Sequence, residues 1–157
     1  MAIKRILVPV DFSQDSLNAL AYARDFAKNF GAELVVLYVI EPIYYATPAD
    51  LYATSPNLAM LIDEQRRSGT QQLERIHADL AKHRQAARML LKTGSPAQVI
   101  ADSAKRTKAD LIIMATHGRT GLAHVLLGSV AERVLRSAPC PVLTVRHGKA
   151  PKRRKKG

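Results

Sequence analysis

Glu33-Leu34-Val35-Val36-Leu37-Tyr38-Val39-Ile40 is an almost unbroken aliphatic run. A strand has this composition when helices cover both of its faces, and that happens in a parallel sheet. Upstream, Ile3 to Val10 is a second short apolar run, ended by Pro9, Asp11 and Ser13, and it reads as a buried first strand. Ser13 suits an N-cap, and Asp15 follows where the helix dipole favours an anion. Leu17, Leu20, Ala23, Phe26, Ala27 and Phe30 then recur at helical spacing until Gly31 stops the helix. Downstream, positions 41–57 hold prolines 42, 48 and 56 and tyrosines 44, 45 and 52 without a period, which predicts a long loop. A mostly wet helix follows over 58–84, then a short strand over 87–91 and a helix opened by Gly94-Ser95-Pro96. An aliphatic strand over 110–115, a glycine-bearing loop, a helix over 130–136 and a last strand over 141–145 complete the chain. Pro141 at its start gives that last strand the character of a sheet edge. Strands alternating with helices wind into one α/β domain: an open five-stranded parallel sheet with helices on both faces, Rossmann-like in its winding.

The 157 residues, 47% of them hydrophobic, suffice for one such domain over 1–146, with a basic tail over 147–157. No apolar run approaches the roughly 20 residues of a membrane-spanning helix, and the N-terminus lacks a signal-peptide core. The expected location is cytoplasmic. A lone cysteine, Cys140, excludes an internal disulfide. The net charge of +11 suggests nucleic acid, yet six basic residues lie between Lys149 and Lys156 and leave about +5 for the body. Binding of nucleic acid is therefore expected only through the tail, which otherwise reads as a solvated end. The five histidines form no helical i, i+4 pair and have no cysteine nearby, so no zinc site is expected.

In an open parallel sheet, ligands bind outside the carboxyl ends of the strands, where strand order reverses. That directs attention to Pro9 and Asp11 after the first strand, Val39 near the end of the second, and Ala115-Thr116-His117-Gly118-Arg119-Thr120-Gly121 through Gly128-Ser129 after the fourth. Glycines at 118, 121 and 128 let backbone N–H groups approach an anion. Ser129-Val130-Ala131-Glu132 has capping-box spacing, so a helix is expected to begin at Ser129 with its positive dipole end facing the loop. The same glycines are equally compatible with plain turns. No Walker A motif, GxSxG elbow or early GxGxxG is present. Asp11 could serve as a general base or a magnesium ligand, but no partner for catalysis is evident, and a Ser129–His117–Asp11 triad has no motif behind it.

Val8-Pro9-Val10-Asp11-Phe12-Ser13, the run ending in Tyr38-Val39, Met114-Ala115-Thr116-His117-Gly118-Arg119 to Gly128-Ser129, and Ala138-Pro139-Cys140-Pro141-Val142 together resemble the universal stress protein family over about residues 2–146. The resemblance implies an adenine nucleotide alpha hydrolase-like fold and ATP, with Mg2+, bound by a stress-response or regulatory protein with slow or no hydrolysis. ATP-binding members carry Gly, two residues, Gly, nine residues, Gly, then Ser or Thr. Gly118, Gly128 and Ser129 match, and Ala115 replaces the first glycine. By resemblance the nucleotide contacts Pro9, Val10, Asp11, Val39, Met114, Ala115, His117, Gly118, Arg119, Gly128, Ser129 and Val130. Within that set, Asp11 and the Val39 backbone lie toward the adenosine, and the amides of Gly118, Gly128, Ser129 and Val130 toward the phosphates. Arg119 would sit near the γ-phosphate and His117 would shape the loop. The resemblance also implies a homodimer through the last strand, Val142, Leu143, Thr144 and Val145. The Ala115 departure leaves open a dimeric interaction module of the same fold that binds no nucleotide.

Overall fold

A computed structural model describes residues 2–41, 56–116 and 127–146. Most of the loop expected over 41–57, the residues from His117 to Leu126 and the basic tail lie outside the described residues. The element order is β1 (Arg5–Val10), α1 (Gln14–Phe30), β2 (Glu33–Ile40), α2 (Pro56–Lys82), β3 (Ala87–Thr93), α3 (Pro96–Thr107), β4 (Leu111–Ala115), α4 (Ser129–Ser137) and β5 (Val142–Val145). All pairings are parallel and the strand order is β3-β2-β1-β4-β5, so the sheet is doubly wound and reverses direction between β1 and β4.

The alternation of side chains along the strands divides the core into two layers. Ile6, Val8, Leu34, Val36 and Ile113 pack with Leu20, Ala23 and Ala27 of α1 and Leu73 and Leu80 of α2. Leu7, Val35, Leu37, Ile112 and Met114 pack on the other face with Ala97, Ile100 and Ala104 of α3 and Ala131 and Val134 of α4. Helices on both faces explain why β2 needs no polar alternation.

The ends of the elements follow local chemistry. Ser13 caps α1, its side chain accepting from the Ser16 N–H, and Gly31 closes the helix with φ of 65°. Ser95 is the N-cap of α3 and Pro96 its first residue, where a missing N–H costs nothing. At the amino end of the sheet, Asp110 accepts from the Lys4 and Arg5 N–H groups at 2.8 and 2.9 Å, and Arg5 pairs with Glu33 at 2.9 Å. β5 is an edge, as Pro141 suggested. β3 runs two residues beyond its expected end because Lys92 and Thr93 stay in register with Val39 and Ile40. Polar residues there reflect the opposite sheet edge rather than the end of pairing.

Candidate functional site

The carboxyl end of β1 is where the sheet opens. The Lys4 carbonyl accepts from Glu33 of β2, and the Arg5 carbonyl accepts from Asp110 before β4. Even-numbered residues of β1 therefore bond toward β2 and odd-numbered ones toward β4. Pro9 is odd-numbered and has no N–H to offer β4. Accordingly, β1 stays in register with β2 along its full length, from Arg5 with Glu33 to Val10 with Tyr38, whereas its register with β4 is confined to Ile6 with Leu111 and Leu7 with Ile112. The two central strands are free to part at the rim on which Asp11, Val39 and Thr116 stand.

Asp11 opens the β1–α1 connection. One of its carboxylate oxygens, Oδ1, accepts from the Ser13 N–H at 3.0 Å and the Ser13 hydroxyl at 2.5 Å, and the Asp11 N–H donates to Ser16 Oγ at 3.3 Å. This is an Asx turn, which fixes the carboxylate at the mouth of α1. Phe12 lies within the turn with φ of 64°. Val39, next to Tyr38, faces the α3 and α4 layer.

Across the opening, β4 leads to α4. The Thr116 N–H donates to Val145 and its carbonyl accepts from the Gly128 N–H at 2.7 Å, which pins the start of α4 beside the end of β4. The helix does begin at Ser129, but Gly128 is its N-cap and Ser129 makes no capping bond. The capping-box reading is corrected by one residue, because the long-range bond to Thr116 draws Gly128 into the cap position. Glu132 consequently reaches forward to Arg136 at 2.7 Å instead of back to the cap. The Gly128 N–H is bonded to the Thr116 carbonyl, and among the described residues no side chain caps the Ser129 and Val130 N–H groups that follow. Ser129 is exposed.

Ala115 lies in β4 and is not among the positive-φ residues, so a side chain there strains nothing. Alternation places it with Leu111 and Ile113, facing α1 and away from α4. Met114 faces the α4 layer. Pro9, Val10, Asp11, Val39, Met114, Ala115, Gly128, Ser129 and Val130 thus stand at or near one rim. His117, Gly118 and Arg119 lie outside the described residues.

Two grooves lie elsewhere, on the flanks of α2. One of about 420 Å³ lies against β3 and is lined by Leu73, His77, Met89 and Leu91, and one of about 300 Å³ lies against α1. Neither includes a residue of the β1 or β4 rim. Among the described residues no cluster of His, Cys, Asp and Glu is arranged to hold a metal ion, and no helix is long and apolar enough to cross a membrane. Burial, and then the Asp110 charge, push the Cys140 thiol above its ordinary pKa, so it is a poor nucleophile near neutral pH.

Residues 2–146 match the universal stress protein family. A protein named universal stress protein MJ0531, from Methanocaldococcus jannaschii, is 37% identical over 147 residues, covering 93% of this chain and 84% of its own. The universal stress protein UspA from Lactobacillus plantarum superposes with a TM-score of 0.83 at 29% identity, covering 93% of this chain and 99% of that one. A universal stress protein in complex with cAMP superposes with a TM-score of 0.62 at 27% identity, covering 93% and 98%.

Proposed function

We propose, on the premise that this chain belongs to the universal stress protein family, that it is a regulatory protein of the stress response that binds ATP at the parting of β1 and β4. The observation that carries the reading is the start of α4: Gly128 is tied to Thr116, and the Ser129 and Val130 amides, which no side chain among the described residues caps, stand beside the end of β4. Free amides at a helix N-terminus, together with the dipole behind them, attract phosphate oxygens. In this reading Asp11 and the Val39 backbone, on the other side of the opening, bond the ribose and base. The related protein in complex with cAMP supports an adenine nucleotide as the ligand class. With no carboxylate cluster among the described residues, Mg2+ would arrive on the nucleotide's phosphates.

Slow or absent hydrolysis fits this arrangement. The Asp11 carboxylate is engaged as the acceptor of the Ser13 N–H and hydroxyl in a turn, a role that suits it poorly to general acid–base work. The protein works in this reading by occupancy. A homodimer through the β5 edge, Val142 to Val145, completes the proposal, since all four residues are only half-buried in the monomer. Mass spectrometry of small molecules released from freshly purified protein tests the ligand, and adenine nucleotide is expected. Protein that releases none and shows no rise in melting temperature with millimolar MgATP refutes the proposal. Sedimentation tests the dimer, which a charged substitution at Leu143 is expected to dissociate.

A further inference from the structure

Phe12 is not glycine, yet its φ is 64°. A bulky residue adopts left-handed backbone only where its surroundings impose it. Its ring packs against that of Tyr38, near the end of β2: the two ring centroids are 4.6 Å apart, tilted by 48°, and Tyr38 is 8% exposed. Gly69, buried in α2, also stands against that ring. Its backbone is helical and its φ is not positive, so conformation does not demand glycine, and glycine weakens a helix interior. Space demands it. A Cβ on Gly69 would stand 2.5 Å from Tyr38 Cε1 and 2.7 Å from Cδ1.

These contacts form a chain. The seat left by Gly69 fixes the Tyr38 ring, the ring supports Phe12, and Phe12 lies between Asp11 and Ser13, whose mutual hydrogen bonds define the Asx turn at the rim. We infer that Tyr38 and Gly69 are positioning residues for the nucleotide site, through which the placement of α2 and the occupancy of that site are linked. The inference rests on the nucleotide-binding reading above. Linkage is reciprocal: whatever displaces α2 from Tyr38 weakens nucleotide binding, and nucleotide binding holds α2 in place.

The test combines MgATP calorimetry with amide hydrogen exchange on the full chain, comparing wild type with G69A, Y38L, Y38F and the G69A/Y38L double variant. The added methyl forces Tyr38 off its preferred rotamer, which predicts that G69A weakens ATP about two- to tenfold. Y38F keeps the ring contacts with Phe12 and Gly69 and is expected to bind ATP more tightly than Y38L does. In the Y38L background the G69A change is expected to cost nothing further, because its target is gone. MgATP is expected to slow amide exchange around Gly69 in wild type and not in Y38L. Wild type that binds no ATP overturns the functional reading and this inference with it. ATP binding that is unchanged in G69A and Y38L, or α2 exchange slowed equally in Y38L, overturns this inference alone. Should G69A not fold, F12G carries the test, since glycine accepts this φ unaided and the turn then lacks its link to α2. Exchange slowed by MgATP at α2 in F12G overturns the inference.

Discussion

Replacing Ser13 with alanine removes two interactions at the same corner and spares a third. The Ser13 hydroxyl accepts from the Ser16 N–H at 3.3 Å as the cap of α1 and donates to Asp11 Oδ1 at 2.5 Å, while the Ser13 N–H donates to the same oxygen at 3.0 Å and survives the change. Loss of a serine cap costs about 1 kcal/mol. Loss of a hydrogen bond to a carboxylate costs about 1.5 kcal/mol, the low end being appropriate because this corner is only part-buried. The two together predict that S13A destabilises the protein by about 2 to 3 kcal/mol, a fall in melting temperature of roughly 5–10 °C for a domain of this size. Urea titrations followed by far-ultraviolet circular dichroism measure it, with an unchanged m-value expected. S13T keeps the hydroxyl and is expected to recover most of the loss. A deficit below about 0.5 kcal/mol in S13A refutes the reasoning, since it would mean the hydroxyl bonds water equally well when unfolded.

Ala115 faces α1 at ordinary extended φ, so A115G is expected to alter ATP affinity less than about threefold by calorimetry; a gain of tenfold or more would show the methyl obstructing the phosphates. Ile113 is fully buried, and I113A is expected to cost about 3–4 kcal/mol in urea unfolding, whereas a loss under about 1 kcal/mol would contradict the packing of β4 against α1. The Cys140 thiol, held above its ordinary pKa by burial and by Asp110, is expected to alkylate more slowly at pH 8 than glutathione does. Because the unfolded thiol ionises first, the corresponding stability is complete below the ordinary thiol pKa and declines as pH rises through the folded value. C140A is expected to flatten that alkaline slope.

The fold was legible where one rule applied along a whole element. Leu34 to Leu37 are fully buried in β2 as their unbroken run implied, and Ser13, Gly31, Ser95 and Pro96 end their helices as local chemistry dictates. That the ends of β1, β2 and β4 share one rim was legible too, because parallel winding gathers the carboxyl ends of the strands on one side of the sheet wherever the exact order falls. What escaped depends on distant partners. The Gly128 cap is set by the Thr116 carbonyl, twelve positions earlier in sequence, and the end of β3 by its register with Val39 and Ile40. Phe12 carries no sequence mark of left-handed backbone. Gly69 is the one position whose signal could have been read: an isolated glycine inside a helical pattern suggests a close neighbour, although nothing in the sequence names Tyr38 as that neighbour.

Amide nuclear magnetic resonance of the full chain titrated with MgATP tests the central claim most directly. Shifts concentrated at Asp11, Val39, Ser129 and Val130, and saturating with nucleotide, are predicted. Resonances there that stay fixed at millimolar MgATP, or shifts confined to the α2 grooves, would contradict it.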